Sequence, residues 1–203
     1  MGRLHGGSAT GAADKTLWRT PPGLVRAVFE RHGFPEIDAA ATDRSVALGT
    51  DGWLSPKEDA LDPRPWASRA RYTGAKPAGP PLAWLNPPWS AEPRGTGTWV
   101  RRALSECRQL RVRGVLLLVP EAPDTHWWWE AANVASVVYS LGRVRYLRPS
   151  GEEGPVPPQG STLFVVLSGD KARTNICALI RWREWARPAG QGDTSPLEAR
   201  DTP

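Results

Sequence analysis

Residues 114–119 read Gly-Val-Leu-Leu-Leu-Val. A run apolar at every position leaves no face for water, which predicts a central strand covered on both sides. Upstream, residues 97–110 place Trp99, Val100, Ala103, Leu104 and Cys107 on one helical face and Arg101, Arg102 and Arg108 on another. Before that helix, Leu82-Ala83-Trp84-Leu85 predicts a buried strand, stopped at Asn86-Pro87-Pro88-Trp89 because two prolines cannot continue a ladder. Asp62 to Pro81 (DPRPWASRARYTGAKPAGPP) shows neither period and is expected to be a basic loop. Further back, Phe34 to Asp38 predicts a short strand ending in an acid. Thr20-Pro21-Pro22 predicts a helix start with Thr20 as N-cap, Leu24, Val25, Val28 and Phe29 on one face, and Gly33 closing it.

Downstream of residues 114–119, Asp124 or Thr125 is expected to cap a helix carrying Trp127, Trp128 and Trp129, of which at least one must face outward. Residues 134–141, 144–147 and 162–167 predict strands, the last two separated by a Gly/Pro-rich loop at 149–160. Strands alternating with helices predict an α/β fold: a Rossmann-like, mostly parallel, doubly wound sheet. The last two strands have no helix between them and are expected to form a C-terminal antiparallel hairpin at one edge. Residues 1–14 predict a disordered leader, 188–203 a disordered tail and 15–187 a single domain.

The 203 residues carry 26 basic and 21 acidic side chains, a net charge of +5, and 22 of the basic residues are Arg. Arg pairs with phosphate through a planar fork, so the bias suits a nucleic-acid partner. Two cysteines, Cys107 and Cys177, cannot build a disulfide framework or a Cys-based zinc site, and no metal is expected. With no long apolar span and no signal-peptide core, the sequence predicts a soluble, cytoplasmic protein without a membrane partner.

Asn86-Pro87-Pro88-Trp89 is the segment whose chemistry stands out. It presents an amide acceptor, a backbone fixed by two prolines and an aromatic ring at the C-terminal end of a buried strand, where open α/β sheets gather their ligands. Those parts suit methylation of an exocyclic amine. An adenine N6 lone pair is delocalised into the ring and is a poor nucleophile. Two acceptors on its N–H groups, the Asn86 side-chain oxygen and the Pro87 carbonyl, would draw the nitrogen toward tetrahedral geometry. Trp89 would stack on a base rotated out of the duplex. A lone His126 beside three tryptophans reads as a rim residue rather than a catalyst, and Gly95-Thr96-Gly97 as a helix lead-in rather than a phosphate cradle.

Between about residues 18 and 168 the chain resembles the phage-encoded DNA N-6-adenine methyltransferase (Dam) family. The resemblance runs through Trp18-Arg19-Thr20-Pro21, Phe34 to Ala41 (FPEIDAAA), Asp59-Ala60-Leu61 and Asn86-Pro87-Pro88-Trp89. After the Val-Leu-Leu-Leu-Val-Pro strand it continues with Thr125-His126-Trp127 and Gly142 to Tyr146 (GRVRY). It implies S-adenosyl-L-methionine as cofactor and double-stranded DNA as partner, for a monomer or a homodimer. It also implies a catalytic Asn86, Pro87, Pro88 and Trp89, and a cofactor pocket of Thr20, Pro21, Asp38, Ala40 and Asp59. Asp38 would receive the ammonium group, and Asp59 the ribose hydroxyls or the adenine amine. Arg64, Arg69, Arg71, Arg143 and Arg145 become candidate phosphate contacts, with loops 62–81 and 149–160 choosing the site. One departure is that Asp38-Ala39-Ala40-Ala41 stands where many methyltransferases have a glycine-rich turn, so a loop of different shape or weaker binding is expected. Protein-glutamine N5-methylation and a catalytically inactive DNA-binding relative are the alternatives.

Overall fold

The computed structural model describes residues 18–44, 48–89, 95–169 and 176–179; the expected leader and tail lie outside them. Elements follow in chain order: α1 (Pro22–His32), β1 (Ile37–Asp38), β2 (Gly52–Trp53), α2 (Trp66–Arg69), β3 (Arg71–Tyr72) and β4 (Leu82–Leu85). They continue with α3 (Thr96–Arg108), β5 (Gly114–Pro120), α4 (His126–Ala132), β6 (Val137–Ser140), β7 (Ser161–Leu167) and β8 (Ile176–Leu179). Among the described residues the strands make one sheet in the order β3-β2-β1-β4-β5-β7-β6-β8.

The run at 114–119 lies mid-sheet, parallel to β4 on one side and antiparallel to β7 on the other. Every residue of β5 is buried. Alternation along the strands sorts the core into two layers. Ala83, Leu85, Val115, Leu117 and Val119 pack with Val100, Ala103, Leu104 and Cys107 of α3. Leu82, Trp84, Leu116 and Leu118 pack with Leu24, Val25, Val28 and Phe29 of α1 on the opposite face. Helices on both faces explain why β4 and β5 carry no polar side chain. Truncating Leu117 or Leu118 to Ala would cost about 2–5 kcal/mol, as for other sealed leucines.

Through β5 the order is compatible with a Rossmann-like sheet, with β1, β2, β4 and β5 parallel and the winding reversing between β1 and β4. Four expectations need correction. The closing hairpin is β6–β7 instead of 144–147 with 162–167, and β7 inserts beside β5 instead of lying at the edge. Residues 144–147 stay outside the sheet: Val144 and Tyr146 turn inward onto its α1 face, and Leu147 makes two isolated antiparallel bridges, to Arg19 and to Glu153. The segment 62–81 is not all loop: Pro65 leads α2, and β3 pairs antiparallel with β2. Pro21, not Thr20, caps α1, its carbonyl accepting the N–H groups of Leu24 and Val25 at 3.0 and 3.1 Å.

Candidate active site

The strand order reverses between β1 and β4, and the two groups singled out in the sequence stand at the C-terminal ends of those strands, where open α/β sheets gather ligands. Asp38 ends β1 and is 4% exposed. Its carboxylate accepts N–H groups from Ala40, at 3.1 Å, and from Leu48. Burial pushes its carboxyl up to about 7 against the pull of those hydrogen bonds. No described Lys or Arg pairs with it, so a cation brought beside it would relieve the burial that the backbone alone does not offset. The Asp38-Ala39-Ala40-Ala41 turn contains no left-handed residue, so it needs no glycine. The chain closes it with the Asp38 side chain itself, and Ala39 is held to the sheet by an N–H bond to the Trp84 carbonyl at 2.9 Å.

One strand over, Asn86 leaves β4 as predicted, followed by a buried Pro87. The Asn86 amide donates from Nδ2 to the Thr20 hydroxyl at 3.0 Å, while its Oδ1 is buried with no partner among the described residues. Trp89 is half-buried, meets Tyr146 edge-to-face with centroids 4.8 Å apart, and leaves its own Nε1 buried and unpartnered. Leaving a buried polar atom unpaired costs about 1–3 kcal/mol. Two such atoms within one four-residue motif mark a place where a ligand would complete the bonding.

Thr20 is 5% exposed and belongs to a short ribbon across this motif. Arg19 and Leu147 exchange backbone hydrogen bonds, each 2.8 Å, and Gly154 donates to the Tyr146 carbonyl at 2.8 Å. Trp18 lies so close to Gly154 that a Cβ there would overlap its ring, at 2.7 Å. Tyr146 is buried, and its hydroxyl stands 3.1 Å from that of Ser161.

All of these residues lie within the span that a known family covers. The family model for DNA N-6-adenine-methyltransferase (Dam) matches residues 7–188. The chain belongs to that family. It is also 23% identical over 184 residues to the DNA N-6-adenine-methyltransferase of Escherichia phage T1, covering 81% of this chain and 68% of the phage protein. No solved structure matches the chain.

Within this Dam-family chain the remaining candidates separate into two groups. Asp59 stands on the loop after β2, half-buried, with a left-handed φ of 47°. Its Oδ1 accepts the Leu61 N–H at 3.3 Å, and its carbonyl accepts Arg69. Arg64 grips Asp62 through two bonds of 3.0 Å, and Arg71 bonds Glu58. All three of these arginines lie toward the β3 edge. Arg143 and Arg145 lie on the loop after β6, toward the opposite end of the strand order, so the five do not form one patch. Arg145 is 3.6 Å from Glu153, whereas Arg143 is exposed with no ion pair among the described residues.

Two further groupings were not read from the sequence. Arg102, expected on the polar face of α3, is 8% exposed and forms a clamp. It donates to the carbonyls of Ala60 and Asp62, both at 3.1 Å, to that of Arg64 at 2.8 Å, and to Glu106 at 2.6 Å. Glu106, fully buried, also accepts the Trp66 backbone N–H at 3.0 Å, and the Trp66 indole bonds the Ala60 carbonyl at 2.8 Å. The clamp therefore sets the loop on which Asp59 stands. Tyr146 is the second omission. The Arg143-Val144-Arg145-Tyr146 alternation, charged side out and apolar side in, was the available signal. The expected outward tryptophan is Trp129, 53% exposed. Gly95-Thr96-Gly97 does lead into α3.

Proposed function

We propose that this chain methylates adenine N6 in double-stranded DNA, with S-adenosyl-L-methionine as donor and Asn86-Pro87-Pro88-Trp89 as the catalytic motif. The observation that carries the reading is the buried, unpartnered Asn86 Oδ1 at the sheet's reversal point. It is an acceptor held in place, lacking only an N–H.

An exocyclic amine has two N–H groups. Asn86 Oδ1 takes one and the Pro87 carbonyl the other, which localises the nitrogen lone pair away from the purine ring. The two prolines keep both oxygens at a fixed spacing, so little reorganisation is needed when the base arrives. Trp89 covers the face of the extruded base, its ring kept upright by Tyr146. Asp38 fits the cofactor's ammonium group: a sealed carboxylate with two backbone donors and no cation of its own. When bound, the cofactor supplies an electrophilic methyl group on a sulfonium. Thr20, Pro21 and Ala40 line the space between Asp38 and Asn86, and Asp59, one loop outward, takes the ribose hydroxyls or the adenine amine.

DNA is held by arginines not already committed within the fold. Arg143, exposed on the loop beside the Tyr146 that braces Trp89, is foremost, and Arg145 joins it when phosphate displaces Glu153. Arg64, Arg69 and Arg71 could contribute only by releasing their present carboxylate or carbonyl partners.

Incubation with methyl-tritiated cofactor and separate duplex DNA, RNA and protein substrates tests the proposal. Label in DNA that digests to N6-methyl-2′-deoxyadenosine is the expected result. Label in protein glutamine, or none in DNA, overturns it.

A further inference from the structure

The Asn86 carboxamide has two ends of similar shape and opposite hydrogen-bonding character, and its use as an acceptor requires that one end face the substrate consistently. Asn86 rotated by half a turn would present an NH2 to the target amine, donor against donor. Something has to choose the orientation. The prolines fix the backbone of the motif but leave the terminal torsion of Asn86 free.

We propose that the Thr20 hydroxyl, by accepting from Asn86 Nδ2 instead of donating to Oδ1, is the positioning group that holds this orientation, a role additional to its place in the cofactor pocket. It receives Asn86 Nδ2 at 3.0 Å, which leaves Oδ1 as the end without a partner. Thr20 is itself 5% exposed, so water does not compete for the bond. Pro21, not Thr20, is the N-cap of α1. The place of Thr20 is set from the other side, by the paired hydrogen bonds of 2.8 Å between Arg19 and Leu147. Leu147 follows Tyr146, the residue against which Trp89 rests. One ribbon thus registers both halves of the motif: the amide through Thr20 and the indole through Tyr146.

The inference rests on the catalytic reading of Asn86, and its test separates the two. Thr20→Val keeps the shape and removes the hydroxyl; Thr20→Ser keeps the hydroxyl. For Thr20→Val, kcat toward duplex DNA is expected to fall by about tenfold to a hundredfold, the scale of a misaligned reacting group. KM for DNA should change less than about threefold, and the loss of kcat should persist at saturating cofactor, whatever Thr20→Val costs in cofactor affinity. Thr20→Ser should restore most of the rate. Independently of activity, the Asn86 side-chain NH2 resonances, assigned by their loss in Asn86→Ala, should shift and exchange faster with solvent in Thr20→Val but not in Thr20→Ser. Unchanged kcat, or a raised cofactor Kd with kcat unchanged at saturation, overturns the proposal, as do unmoved Asn86 resonances. Shifted resonances in a protein that never methylates DNA would retain the positioning bond and sink only the assigned reaction.

Discussion

Two polar clusters flank the same sheet and are built on opposite plans. Under the Asp59 loop, Arg102, Glu106 and Trp66 satisfy one another and the local carbonyls, in bonds of 2.6 to 3.1 Å. At the tip of β4, Asn86 Oδ1 and Trp89 Nε1 are sealed from water yet bonded to nothing. Both clusters are costly to bury. The first offsets that cost within the fold; the second leaves part of it to be offset by a ligand. Residue type alone cannot tell these apart, because each holds a tryptophan and a side chain that forms strong hydrogen bonds. What separates holding shape from meeting a substrate is whether the polar atoms are already answered.

Breaking the closed cluster should give the largest effect, and it should be one on stability. Glu106→Gln preserves shape but leaves the Arg102 guanidinium buried without its counter-charge, a loss of about 3–5 kcal/mol. For a domain of this size that lowers Tm by about 10 °C or more. Calorimetric melting checks it, and an unchanged Tm would mean the pair is solvated in solution. Breaking the open cluster should do the reverse. Asn86→Ala removes an unpartnered Oδ1 together with a single hydrogen bond to Thr20, so stability should change by only about 1 kcal/mol. Methyl transfer should fall by about 10²–10³-fold or more, the effect of deleting one preorganised hydrogen-bonding group. Cofactor affinity, measured by calorimetry, should stay near the wild-type value.

How far the sequence revealed this follows from the same distinction. The apolar run of β5, the stop at Asn86 and the acid ending β1 were legible because periodicity and proline act locally. The β7 insertion was not, since pairing partners many residues apart leave no local mark on either strand. Thr20 read as an N-cap because Thr before Pro-Pro usually is one; only the fold brings Asn86 to its hydroxyl. Arg102 read as a surface charge because its sole in-chain sign, Glu106 four residues on, is also the commonest exposed helix pair. Burial turns that ordinary pair into a clamp.

Asp38 sits between the two plans: bonded by backbone, lacking a cation. Its carboxyl, raised from 3.8 to about 7, is protonated in the folded protein at pH values where the unfolded chain would have ionised it. The sign follows from that order. Stability of the cofactor-free protein should decline as pH rises from about 4 to about 7, and Asp38→Asn should remove that slope. Affinity for the cofactor, which requires the ionised carboxylate, should run the other way and weaken as pH falls through about 7. At pH 8 the Asn variant should bind about 10- to 100-fold more weakly, as for loss of a charge-assisted hydrogen bond. Isothermal titration across pH checks both trends, and a flat affinity profile would remove Asp38 from the cofactor pocket.

The smallest expected effect applies the contrast between answered and unanswered groups to the protein's surface. Arg64 is closed by Asp62 in a two-bond fork, whereas Arg143, exposed beside the left-handed Gly142, has no ion pair among the described residues. A cation that meets phosphate releases a condensed counterion, and each such contact adds about 0.9 to the slope of log K against log salt. Arg143→Gln should therefore lower that slope by about one and weaken duplex binding a few-fold at moderate salt, with kcat unaltered at saturating DNA. Arg64→Gln should leave the slope alone, because its Asp62 already occupies the guanidinium. Fluorescence anisotropy over a salt series resolves a difference of one contact. Equal slopes for the two variants would mean that internal pairing does not decide which arginines meet DNA.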